Sequence, residues 1–170
     1  NINIFGGSGI IIYDAPLFFQ TYAEVEFMLA EAAERWGLAG GDVEEHYNAG
    51  VTAAMQYLSL YGHGVDITTG QIDDYLAANP FVASQALKMI NEQYWVATFG
   101  NGLETFSNWK RSGYPVLVPA NVADLLTDGK IPRRLPYPGS EKLNNPEQLA
   151  EAIQQQGGDD LLTRMWWDKN

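Results

Sequence analysis

The chain has 170 residues, with 10 Lys and Arg against 21 Asp and Glu, no Cys and a formal charge of −11. That length suits one compact domain with a sizeable core, and the excess of negative charge opposes a phosphate backbone, so nucleic acid is excluded as a natural partner. Without cysteine there is no disulfide, thiolate metal site or cysteine nucleophile, and no apolar run approaches the roughly 20 residues needed to cross a bilayer.

Residues 1–15 mix Gly6-Gly7-Ser8-Gly9 with Ile10-Ile11-Ile12 and read as a loop leading into a short extended segment. A helix is predicted from about Leu17, with Tyr22, Val25, Leu29, Ala32 and Trp36 on one stripe and Gly37 as its stop. Ala23 and Phe27 lie away from that stripe, so this helix is apolar on more than one side; Glu31 and Arg35, four apart, can pair. A second helix is predicted from Val43 to Tyr61, where Val43, Tyr47, Gly50, Val51, Ala54, Leu58 and Tyr61 recur at helical spacing before Gly62. Two such helices joined through Gly40-Gly41 form an antiparallel hairpin the size of one tetratricopeptide-like repeat.

Gln71 to Ala78 reads as a short helix closed by Asn79-Pro80, Ser84 as the cap of a longer one through about Phe99, and Leu103 to Arg111 as a third, stopped by Gly113 and Pro115. Irregular chain is predicted from Tyr114 to Asn144. Within it, Pro132, Pro136 and Pro138 remove backbone donors and force Ile131–Glu141 into an extended strap. Alternation along such a strap sends one of Arg133 and Arg134 inward and the other to solvent. Asn145-Pro146-Glu147-Gln148 has the cap, first-turn proline and back-reaching side chain of a helix start, Leu149 to Gln156 continue it, and Gly157-Gly158 stop it before a short tail holding Trp166-Trp167. The fold class is therefore mainly α, with long irregular proline-rich loops.

No catalytic set emerges. His46 follows Asp42, Glu44 and Glu45 at a helix start, where acids suit the positive end of the dipole, and His63 lies in a Gly62-His63-Gly64 turn, so neither is expected to hold a metal. Ser8 lacks the spaced glycines and following helix of a nucleophile elbow, and no dinucleotide fingerprint exists, so no cofactor is expected. Glu26 falls on the apolar side of its helix and needs a partner, because an unpaired buried carboxylate costs several kcal/mol. Arg111, Arg133 and Arg134 are the candidates, the last two foremost, in a structural ion pair rather than a ligand site. Aromatic residues make up 12% of the chain; Trp36, Tyr47, Trp95 and Phe106 are predicted core, while Phe5, Tyr13, Tyr75 and Tyr114 are predicted to be more exposed.

Five motifs occur in order: Tyr22-Ala23-Glu24-Val25-Glu26-Phe27 with Ala30-Glu31-Ala32-Ala33; Gln93-Tyr94-Trp95; Trp109-Lys110-Arg111-Ser112-Gly113-Tyr114-Pro115; the proline and arginine run Ile131–Glu141; and Trp166-Trp167-Asp168. Through them the chain resembles the C-terminal part of the SusD/RagB nutrient-binding lipoproteins over nearly its whole length. The resemblance implies a helical, tetratricopeptide-containing SusD fold, with residues 1–170 as the C-terminal part of a single domain and the N-terminal half absent from the sequence. The start at Asn1 rather than methionine agrees with that expectation. It also implies noncovalent capture of a glycan or oligopeptide nutrient at the outer-membrane surface, delivery to a SusC-like TonB-dependent transporter, no cofactor and no catalysis. Membrane association would come through a lipid anchor outside this chain. Family ligand sites vary and draw on the preceding half, so no binding residue carries over. Two other classes stand beside it. A cell-surface glycosidase fragment would need a proton-holding acid facing a second carboxylate, and a helical-repeat interaction scaffold would need self-similar helix pairs.

Overall fold

The computed structural model describes residues 16–38, 40–61, 66–119 and 126–168; the predicted loop and extended segment at 1–15, with Phe5 and Tyr13, and the His63 turn lie outside the described residues. Among the described residues seven α-helices follow one another: α1 (Tyr22–Trp36), α2 (Val43–Gln56), α3 (Thr69–Ala78), α4 (Ala86–Ala97), α5 (Gly102–Ser112), α6 (Gly139–Asn144) and α7 (Pro146–Gln156). Tight 3-10 turns occupy Tyr57–Tyr61 and Ala83–Gln85, and among the described residues there is no strand. The chain divides into two compact units, Asn1–Trp109 and Lys110–Asn170.

In the first unit, α1 begins at Tyr22 rather than at the predicted Leu17 because Thr21 and Glu24 form a reciprocal cap. The Thr21 hydroxyl accepts the Glu24 N–H at 3.3 Å, and the Glu24 carboxylate accepts the Thr21 N–H at 3.1 Å. Gly37 ends the helix in the left-handed conformation, φ 64°, and the predicted Glu31–Arg35 pair closes at 2.5 Å.

The buried face of α1 is not the predicted stripe. Ala23, Phe27 and Ala30 are buried, whereas Tyr22 and Trp36 are 65% and 67% exposed. The reason lies on α2, the other arm of the predicted hairpin, which meets α1 where Gly50 faces Phe27. A Cβ on Gly50 would stand 2.7 Å from the Phe27 ring, so the ring fills space that only glycine leaves open. Tyr47 packs edge-on to Phe27 with centroids 6.2 Å apart, Tyr94 of α4 does so at 6.4 Å, and Val51, Ala86 and Ile90 complete the core.

Past Gln56 the predicted second helix tightens into the 3-10 turn carrying Tyr57 and Tyr61. A second reciprocal cap, Thr68 with Gln71, starts α3. Ser84 falls inside the 3-10 turn before α4 and does not cap it. The Tyr94 hydroxyl donates to Glu104 at 2.8 Å, and Asn108 donates to Asn91 at 3.1 Å, which fixes the first turns of α5 against α4. Of the predicted core aromatics, Tyr47 is buried and Trp95 partly so, but Phe106 stays 43% exposed and stacks on Trp109.

In the second unit, residues 113–119 and 126–138 are irregular as the prolines require, yet the final residues of the predicted loop form α6. Past Pro138 no further proline interrupts Gly139–Asn144, so helical hydrogen bonding resumes. Pro146 occupies the first turn of α7, and Gly157, φ 89°, closes it.

Candidate functional site

Tyr57 and Tyr61 project from the same 3-10 turn, and Phe18, just upstream of α1, sits edge-on to both at centroid distances of 5.3 and 5.6 Å. The Tyr57 hydroxyl donates to the Ala97 carbonyl at 3.3 Å, which holds the turn to the end of α4. Two cavities adjoin this cluster within the first unit. The smaller, about 290 Å³, is lined by Phe18, Thr21, Glu24 and Asn101 among others, and the larger, about 350 Å³, by Met55, Tyr75, Gln93 and Val96 among others. Tyr57, Tyr61, Ala97 and Phe99 border both. In the larger cavity the Gln93 amide donates to the Tyr75 hydroxyl at 2.8 Å.

Apolar walls with a few placed polar groups, at the lower end of the size range of small-molecule sites, make this pair of cavities the candidate binding surface. Burial pushes the Tyr57 and Tyr61 hydroxyls above their ordinary value of 10.0, with like-charge neighbours adding to it for Tyr57, so both are neutral donors at physiological pH. Among the described residues no group of three His, Cys, Asp or Glu could hold a metal ion. Of the residues expected to be more exposed, Tyr75 is a partly buried wall of the larger cavity, and Tyr114 is also partly buried. Sequence reasoning did not single out Phe18, Tyr57, Gln93 or Phe99 as a site. Phe18 comes from upstream of α1, Tyr57 from the turn after α2, and Gln93 and Phe99 from α4 and the turn that follows it.

Glu26, the acid expected to meet an arginine, meets a histidine. His46 in the first turn of α2 brings Nδ1 to 2.7 Å from the Glu26 carboxylate, on a side chain only 8% exposed. Burial pushes the Glu26 carboxyl up, but the Tyr22 hydroxyl, the His46 hydrogen bond and the His46 charge together outweigh it and hold it below its ordinary value of 4.5. The two helices of one hairpin thus satisfy this acid locally.

Arg133 and Arg134 each engage an acid of their own unit, and neither points to solvent as alternation had suggested: their side chains are 15% and 10% exposed. The Arg133 guanidinium grips Asp168 in a bidentate pair, with Nε 2.8 Å from Oδ2 and Nη2 on Oδ1, and Arg164 adds a contact to Asp168 at 3.4 Å. The Arg133 hydrogen bond, against the opposing effect of burial, holds the Asp168 carboxyl below its ordinary 3.8. Lys110 lies 4.3 Å over the Trp167 ring, and its burial lowers its pKa against the raising influence of Asp168. Arg134 meets Asp159 at 3.1 Å and lies 5.0 Å from the Tyr137 ring, whose backbone N–H donates to the same carboxylate at 2.9 Å. The proline and arginine run and the terminal Trp-Trp-Asp motif are two halves of one fastening.

A family described as SusD-like, starch-binding and associating with the outer membrane, matches residues 3–138. A solved chitin-binding protein is 38% identical, with a TM-score of 0.80 over 88% of this chain and 33% of its own. A SusD homologue from Bacteroides fragilis is 31% identical, with a TM-score of 0.73 over 87% of this chain and 34% of its own. A chitin-binding SusD homologue from Flavobacterium johnsoniae is 30% identical, with a TM-score of 0.66, covering 87% and 36% respectively. The chain thus spans about a third of the length of these structures. No curated protein matches it significantly.

Proposed function

The chain belongs to the SusD-like family, and from that premise we propose that it forms the C-terminal part of a single SusD-like domain that captures a nutrient glycan without chemically altering it. The observation that carries this reading is the ring-lined pair of cavities around Tyr57 and Tyr61 in a chain whose relatives include chitin-binding proteins. Flat rings with polar tips suit the mixed apolar and hydroxylated faces of a sugar. Absence of hydrolysis is part of the proposal and follows the binding proteins of the family.

The family is described as associating with the outer membrane, which supports the same location for this chain, and no helix of the described residues is long and apolar enough to cross one. In this reading a lipid anchor outside the chain holds the protein there, and a SusC-like TonB-dependent transporter receives the glycan. Calorimetric titration of the full-length protein with N-acetylglucosamine oligomers, malto-oligosaccharides and a mixed oligopeptide pool tests the binding. Binding to a glycan series, with oligomer lengths unchanged on subsequent chromatography, is expected. Binding to peptides alone would sink the glycan assignment, and shortened oligomers would restore the glycosidase alternative.

A further inference from the structure

The larger cavity supports a finer assignment that rests on the glycan-binding reading above. Val51, Ala54, Met55 and Val96 give it aliphatic walls, and Tyr75 with Gln93 supplies a polar spot. Because the Tyr75 oxygen accepts the Gln93 amide proton at 2.8 Å, the orientation of the phenol is set and its own O–H is left to donate. A sugar face bearing only hydroxyls would leave several of them unpaired against the aliphatic walls, which is unfavourable. A methyl beside a carbonyl satisfies both features at once, the methyl against Val51, Ala54 and Met55 and the carbonyl oxygen on the Tyr75 hydroxyl.

We propose that this cavity receives the N-acetyl group of an amino sugar, with Tyr75 as the specificity-determining donor and Gln93 as the residue that positions it. At about 350 Å³ the cavity has room for one sugar unit with its substituent. Tyr57, Tyr61 and Phe99, shared with the smaller cavity, offer ring faces to the neighbouring unit of an oligomer. An O-acetyl ester presents the same methyl and carbonyl, so the test includes it.

The experiment titrates full-length protein with N-acetylglucosamine oligomers, with cello-oligosaccharides, which share the linkage but carry a hydroxyl in place of the acetamido group, and with O-acetylated xylo-oligosaccharides. Wild type is expected to prefer the first. Tyr75→Phe, which removes one hydroxyl and little else, should lose about five- to tenfold in affinity for the N-acetylated series and none for the cello series. Val96→Trp, at a position 64% exposed and so tolerant of bulk, should obstruct the cavity and weaken the N-acetylated series at least as much. The assignment is overturned if Tyr75→Phe leaves both series unchanged or weakens them equally, or if wild type prefers cello- or O-acetylated oligomers. Malto-oligosaccharide binding with no response to any of these three series would overturn this inference and leave the glycan reading standing. No binding to any glycan would remove both.

Discussion

The two units differ in what fills their interiors. Among the described residues, the first buries Ala23, Phe27, Ala30, Tyr47, Val51, Ile72 and further apolar side chains around the α1–α2 hairpin, whereas Leu149 is the one buried apolar residue of the second. The first unit also buries polar groups, Glu24, Glu26 and Glu31 among them, but in the second the buried Lys110, Thr127 and Asp168 outnumber the apolar side chains, and Arg133 and Arg164 hold the Asp168 carboxylate. Shape complementarity between helices therefore governs the first, and charge pairing at low exposure governs the second. Apolar burial is insensitive to protonation and tolerant of salt, while a paired carboxylate is vulnerable to acid.

The largest expected effect tests the apolar half of that contrast. Phe27→Ala would empty the centre of the hairpin core beneath Tyr47 and Tyr94 and should cost about 3 to 5 kcal/mol. Chemical denaturation of the wild type and the variant measures it. Gly50→Leu approaches the same point from the other helix: its Cβ starts 2.7 Å from the Phe27 ring, so a loss of about 1 to 3 kcal/mol is expected from overpacking alone. A Phe27→Ala loss below 1 kcal/mol would show that the ring is not the keystone of this unit.

Much of this hairpin was legible in the sequence, and its inward face was not. Helical spacing located both helices, but α1 carries apolar residues on two sides, and periodicity alone chooses the side with the larger residues, Tyr22, Leu29 and Trp36. The deciding signal was Gly50 on the partner helix, which leaves room for the Phe27 ring to approach closely. The caps Thr21-x-x-Glu24 and Thr68-x-x-Gln71 were readable and would have moved two helix starts to their observed places. That Glu26 needs a partner followed from its position, but the partner's identity did not, because His46 arrives from a helix whose rotation the sequence leaves open. The cavity was the least legible feature. Its walls come from the chain before α1, the turn after α2, α3 and α4, and only packing brings them to one place.

The intermediate effect tests the charged half. Asp168→Asn removes the charge that faces Arg133 and Arg164, breaks a bidentate pair at a carboxylate with no exposed surface, and should cost about 3 kcal/mol. Combining it with Arg133→Met should cost less than the sum of the two single changes, since both break the same pair. The sign of the pH effect follows from the depressed carboxyl. Asp168 contributes its stability above its ordinary 3.8 and loses it as the pH falls through its lower folded value, and Glu26 behaves alike from 4.5 downward. Hydrogen exchange resolved by segment, at neutral pH and near pH 3, reads this directly: protection across 131–138 should fall on acidification in wild type and change little in Asp168→Asn, where that contribution is already missing. Equal acid sensitivity in both proteins would remove Asp168 from the account.

The smallest expected effect separates the two faces of α1. Trp36 is the largest side chain on the stripe that periodicity favours, yet it is 67% exposed in the last turn of the helix, whereas Phe27 is 1% exposed. A side chain gains burial energy only from the surface it removes from water, so Trp36 has little to lose when truncated. Trp36→Ala should therefore shift stability by no more than about 0.5 kcal/mol, the ordinary range for surface changes. Set beside Phe27→Ala in the same denaturation series, this gives a difference of at least about 2.5 kcal/mol between two aromatic truncations on one helix, which helix propensity cannot produce. A Trp36→Ala loss approaching that of Phe27→Ala would mean that α1 is buried on both sides.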